Sequence, residues 1–348
     1  MEVENWVRRS ASLLEDSLRG ADKIGIILPP TPDGIASSVI LSEICSQLGA
    51  DSEFSISLPE TNLDSIELLL NKCDYLIFLE LPPHGRGPIS VAKEFYKGIT
   101  IIDHGSTELN YSDFVRRISF PSESVSVSLL LYLLSTFLSR ENEYLSWVAV
   151  SGFKPKCASK LCDSVMEKSQ LYWPDLMEKS SIDLIHKMLY TACFEGEEFI
   201  LMAISSLQES IDDPWWFVKG SSVTSNIIKS RIPDFESKIG ELLKEPLLIE
   251  ESIGIWEVNE PHQRFVFSLK AREFTKVAIS FYYDPPLGLV YISSPPSVDL
   301  YQQALSLLKS ELEWSAFGGI GFLSMIINSE TMLSFLMKFK DGLESLTR

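Results

Sequence analysis

The alternation of short apolar runs with helix-like segments over the first 110 residues constrains this chain more than any other feature. KIGIIL at 23–28 is apolar without a polar alternation, and DYLIFLEL at 74–81 reads the same way. Such runs are the signature of strands buried on both faces. FSISL at 54–58 and ITIID at 99–103 complete a set of four strands. Between them lie GIASSVILSEICSQLG, opened by Asp33-Gly34 and closed at Gly49, then DSIELLLNKC with Asn62 or Asp64 as its cap, then VAKEFYKG. Gly after a periodic segment and Asp before one are the usual stop and start signals. An amphipathic segment with Trp6, Leu13, Leu14 and Leu18 precedes the whole and ends at Gly20. The βαβαβαβ order predicts an α/β fold with a doubly wound parallel sheet and helices on both faces.

Residues 125–215 read as mostly helical, and Asp212-Asp213-Pro214 breaks the pattern. The rest predicts a smaller C-terminal α/β domain. Its strand candidates are SIGIWEV, RFVFSLK, KVAISFYY and LGLVYIS, followed by a helix at 298–313, FGGIGFLSMIIN and a last helix near 330–346. The expected division is a domain over 1–190, a helical connector over 191–214 and a second domain over 215–348.

Charge narrows the function classes. Lys and Arg number 30 against 48 Asp and Glu, a net charge of −18. That argues against a protein coating duplex DNA, whose affinity comes from cations on phosphates, and against adhesion to an anionic membrane. It suits a soluble protein with a basic partner. Cys45, Cys73, Cys157, Cys162 and Cys193 form no C-x-x-C, and four histidines assemble no zinc pattern. Buried thiols in a reducing cytoplasm are expected. MEVENWVRRSASLLEDSLRG does not read as a signal peptide, and the apolar stretch at 129–138 is about half of a membrane span.

Ligands of open α/β sheets gather beyond the carboxyl ends of the strands. Those ends carry Asp33-Gly34, Glu80 and Asp103-His104. Carboxylates and a histidine converging there could hold a hard divalent cation and activate water. Equally, Asp33 could cap a helix and Asp103-His104 simply end a strand. His84 and His262 fall in proline-flanked loops, and His186 in a helix. Trp215-Trp216-Phe217 could stack on bases or pack a domain junction. Gly318 to Gly321 could approach a phosphate or permit a turn.

In order and spacing, these pieces resemble the DHH phosphoesterase superfamily, of which RecJ is the nucleolytic type, over nearly the whole chain. The family's first motif reads H-x-D-A-D-G-x-x-S after a strand. Here Pro29 to Ser37 keeps Asp33-Gly34 and Ser37 but has Pro29 for the histidine and Thr31 for the first aspartate. Glu80 followed by Leu81-Pro82 stands at the second motif, an aspartate before Asn-Gly. The namesake motif reads Asp103-His104-Gly105, lacking its second histidine. Phe153-Lys154 stands where a further aspartate is expected. The C-terminal glycine signature keeps Gly318, Gly319 and Gly321, with Ile320 at a polar position.

A two-metal site needs several anionic oxygens or imidazoles around two dications. Four matched ligand positions are Pro29, Thr31, Gly105 and Lys154, so Asp33, Glu80, Asp103 and His104 are read as relics, with no catalytic residue, metal or cofactor expected. The resemblance is to the degenerate branch that forms the "C" of the CMG replicative helicase, in its archaeal version. It implies a non-catalytic cofactor that binds the GINS complex through the C-terminal domain and supports the MCM helicase, with at most weak contact to single-stranded DNA and none to membrane. The alternative it implies is a manganese-dependent single-strand exonuclease or small-nucleotide phosphodiesterase.

Overall fold

The computed structural model describes residues 2–56, 63–80, 97–103, 115–120, 125–153, 160–250, 252–295, 298–308, 314–318 and 321–347. They form two compact units, which divide between Ile232 and Pro233. Among the described residues, no helix is long and apolar enough to cross a membrane.

The first unit opens with α1 (Glu2–Leu18). β1 (Lys23–Leu28), α2 (Pro32–Gln47), β2 (Asp51–Ile56), α3 (Leu63–Lys72), β3 (Tyr75–Leu79), β4 (Gly98–Asp103) and β5 (Val115–Ser119) follow. The strands make a wholly parallel sheet in the order β2-β1-β3-β4-β5. The three central strands are buried almost end to end. This is what unalternating apolar runs demand when helices cover both faces. The edge strands β2 and β5 are only partly buried.

α2 is buried on nearly every side, as a helix apolar all round must be. It packs against α4 (Val127–Leu138) and, beyond a 3₁₀ turn at Arg140–Leu145, against α5 (Ser146–Phe153). The approach is close. A Cβ on Gly152 would stand 2.6 Å from Ser128 Oγ and 2.7 Å from the Cβ of Ala36, so only glycine fits at this crossing.

α6 (Lys160–Tyr172), α7 (Lys179–Glu195) and α8 (Glu197–Glu209) continue the unit. α9 (Pro214–Lys219) and α10 (Val223–Ser230) pack back on α7 and α8. This carries the first unit to Ile232, past the 214/215 boundary read from the sequence. The Asp212-Asp213-Pro214 break is a helix start: Asp213 caps α9 by accepting from the Trp215 amide, with Pro214 in its first turn.

The second unit begins with the rest of α11 (Ile232–Lys244). Its sheet runs β10 (Trp314–Gly318), β11 (Phe322–Asn328), β9 (Leu287–Ser293), β8 (Val277–Asp284), β7 (Ile253–Glu257), β6 (Leu248–Glu250). All pairs are antiparallel except β7–β8. That parallel pair needs a crossover, supplied by α12 (Gln263–Ala271). RFVFSLK is therefore a helix, which corrects the strand expected there. Alternate residues of β7, β8 and β9 serve the two faces. Ile255, Ile279 and Val290 join a core with α14 (Ser329–Thr347). On the opposite face Trp256 and Tyr291 meet Phe267 and Phe265 of α12, with ring centroids 5.6 and 4.8 Å apart. α13 (Leu300–Leu308) opens the helix expected at 298–313. The helix expected at VAKEFYKG falls mostly outside the described residues.

Cys45, Cys73 and Cys193 are buried and outside any disulfide. Cys162 is disulfide-bonded, which corrects the expectation of thiols throughout.

Candidate functional site

The three expected strand ends do meet one another, through named contacts. After β1 the chain turns at Pro29-Pro30, with the Thr31 amide donating to the Pro29 carbonyl at 2.8 Å. Thr31 is the N-cap of α2: its backbone is extended and its hydroxyl accepts from the Gly34 amide at 2.8 Å. Pro32 follows at the position where a missing N–H costs nothing. Gly34 is required by space, since a Cβ there would lie 2.5 Å from the Pro29 carbonyl oxygen. The Asp-Gly pair of the first motif thus has a structural reason for its glycine.

Thr31 also donates its hydroxyl proton to Glu80 Oε2 at 2.5 Å. Glu80 follows β3 with φ +62, a left-handed conformation uncommon outside glycine. Its amide donates to the Ile102 carbonyl at 2.9 Å. That bond fixes Glu80 beside the end of β4, next to Asp103.

Asp33 is a cap, but not of its own helix. Fully buried, it accepts from the amides of Val127 at 3.0 Å and Ser128 at 2.9 Å, the first turn of α4. Ser126 accepts from the third, Leu129, at 3.2 Å. Three of the four free donors that a helix start leaves are thereby met, and the carboxylate lies at the positive end of the helix dipole.

Asp103 is 0 % exposed and is held by Arg117, a residue the sequence reading did not single out. Arg117 Nε donates to Oδ2 at 2.9 Å and Nη2 to Oδ1 at 3.0 Å. This fork-on-fork geometry is the strong form of a carboxylate–guanidinium pair. The only signal in the sequence was the pair of arginines in VRRIS, a short polar strand at the sheet's edge.

The donor set does not fit a two-metal centre. Both oxygens of Asp33 face helix amides, both oxygens of Asp103 face a guanidinium, and Glu80 accepts from a hydroxyl. A dication placed on Asp103 about 4 Å from the guanidinium would meet ~8 kcal/mol of repulsion at an effective dielectric near 20. Among the described residues, no three His, Cys, Asp or Glu groups are placed to share a metal ion. His104, Gly105, Lys154, Gly319, Ile320 and His84 lie outside the described residues.

The remaining sequence candidates are dispersed. Phe153 is fully buried, as is Ser37, whose hydroxyl has no hydrogen-bond partner among the described residues. His186 is buried in α7, and His262 precedes α12 without capping it through its side chain. Of the Trp215-Trp216-Phe217 cluster, Phe217 is core, Trp215 lies under Lys219, and Trp216 alone is largely exposed. Gly318 ends β10, and Gly321 at φ +86 leads into β11.

No family model and no curated protein matches the sequence. Solved structures match in fold. RecJ from Thermus thermophilus in complex with Mn2+ aligns with TM-score 0.64 and 14% identity over 97% of this chain. The chain spans only 54% of that RecJ. An exonuclease RecJ bound to manganese aligns with TM-score 0.60 and 15% identity, over 96% of this chain and 93% of its own. The DHH domain of a member of the s1p family of ribosomal proteins aligns with TM-score 0.65 and 11% identity, over 98% and 91%. The chain shares the fold of these RecJ and DHH-domain structures.

Proposed function

We propose that the chain is a non-catalytic structural cofactor of an archaeal-type replicative helicase, binding the GINS complex and supporting the MCM ring. One observation carries the reading: the described carboxylates at the strand ends are all committed to donors of the protein itself. A hydrolase needs those oxygens for metal and water. A scaffold needs only the fold they support.

The edge strand β6 is the proposed contact. Among the described strands it pairs with β7 alone, and a sheet edge is a template for a further strand. Leu247 and Ile249, two residues apart and so on one face, are 56% and 53% exposed. Exposed apolar residues flanking an edge backbone suit an extended segment of a protein partner.

Pull-down of GINS with the wild-type chain, and its loss in Leu247→Asp/Ile249→Asp, is the expected result. Retention of GINS by that variant would move the interface elsewhere. A wild-type chain that takes down no GINS would sink the helicase reading. Manganese-dependent degradation of single-stranded DNA, abolished by Asp103→Ala, would establish the nuclease alternative.

A further inference from the structure

A buried carboxylate must find hydrogen-bond donors or a counter-charge. At the end of β4 that charge is supplied by the neighbouring strand. Arg117 lies in register with Ile101, two residues before Asp103. From there its guanidinium spans both oxygens of Asp103, while 23% of its side chain stays exposed. Beyond the same strand ends lies Glu80, tied to β4 through its amide. This is where ligands of an open α/β sheet gather, and RecJ structures of this fold carry manganese.

We propose that Arg117 is a built-in replacement for a divalent cation. It occupies both oxygens of Asp103 and excludes metal from the strand ends. Its removal uncovers a cation site based on Asp103, with Glu80 beside it. The inference stands apart from the GINS reading, since it concerns one residue and one ion.

The test uses the full chain and manganese chloride, with melting temperature and the electron paramagnetic resonance signal of free Mn2+ as readouts. Wild type should melt at the same temperature with and without manganese at about 1 mM, on the order of the concentration a weak carboxylate site requires. Arg117→Gln should melt about 8 °C lower without metal, because it leaves a buried charge unpaired. Manganese should return several of those degrees and lose its free signal to the variant. Arg117→Gln/Asp103→Asn, which removes both charges, should fold without metal and ignore manganese. Arg116→Gln removes the adjacent arginine, which is bonded to Ser17 at 2.9 Å, and should also ignore it. If Arg117→Gln fails to fold alone, refolding only in manganese would support the proposal. Asp103-dependent manganese binding by wild type would overturn it. So would an Arg117→Gln variant that neither loses stability nor responds to manganese.

Discussion

Replacing Asp33 with alanine separates a cap from a spent ligand. Its two oxygens accept the Val127 and Ser128 amides at 3.0 and 2.9 Å in a fully buried setting. Alanine would leave two buried N–H groups without acceptors, each costing ~1–3 kcal/mol. Loss of the negative charge at the start of α4 adds about 0.5–1 kcal/mol. The expected total is ~2.5–7 kcal/mol, a large part of a typical stability. Urea unfolding followed by circular dichroism should show the midpoint falling by about 1 M or more. Amide exchange over residues 125–138 should accelerate, because α4 loses its anchor. Asp33→Asn keeps one acceptor and should lose roughly half as much. A carboxylate left over from a metal cluster behaves in the opposite way, since removing one of several like charges relieves repulsion. An Asp33→Ala variant within about 0.5 kcal/mol of wild type, with unchanged exchange in α4, would refute the reasoning.

Gly152→Ala should destabilise the first unit by ~2 kcal/mol, as overpacking between three helices does, because the new Cβ meets Ser128 and Ala36 below 3 Å; thermal melting checks it. Burial pushes the Cys45 thiol up to about 12 and the Cys73 thiol up to about 11, from 9.0. Both are therefore protonated in the folded chain at about pH 8 and should resist iodoacetamide until it unfolds. Since the unfolded chain ionises first, their contribution to stability is whole below about pH 9 and is lost as pH rises toward 11 and 12; urea midpoints across that range should fall.

Much of the first sheet was legible because its strands are buried on both faces and show it as unbroken apolar runs. β5 was not, since VRRIS at an edge carries two arginines and one buried isoleucine. The same strand hid Arg117, whose pairing with Asp103 across neighbouring strands leaves no local signature in the sequence. RFVFSLK misled for a physical reason. α12 is buried nearly all round from Gln263 to Ser268, so its helical period is absent and its aromatic, β-branched composition reads as strand. Asp33 reads as the cap of the helix it opens, but that helix is capped by Thr31 and Asp33 caps another. That it caps α4, more than ninety residues away in sequence, is a tertiary fact with no local signature.

The hydroxyl of Thr31 holds two bonds at once, accepting from Gly34 and donating to Glu80. This has a consequence for any metal ligand at that position. An aspartate at 31, the residue of the resembling family's first motif, would still cap α2. It would also face Glu80 across the 2.5 Å now bridged by a hydroxyl proton. Two carboxylates at that separation cannot both ionise, and one must keep a proton. A metal ligand at 31 is thus penalised unless a cation arrives with it, and the guanidinium of Arg117 on Asp103 opposes that arrival. Threonine at 31 and arginine at 117 are thus linked through charge: an aspartate at 31 is easier to accommodate once Arg117 is gone and a cation can enter beside Glu80.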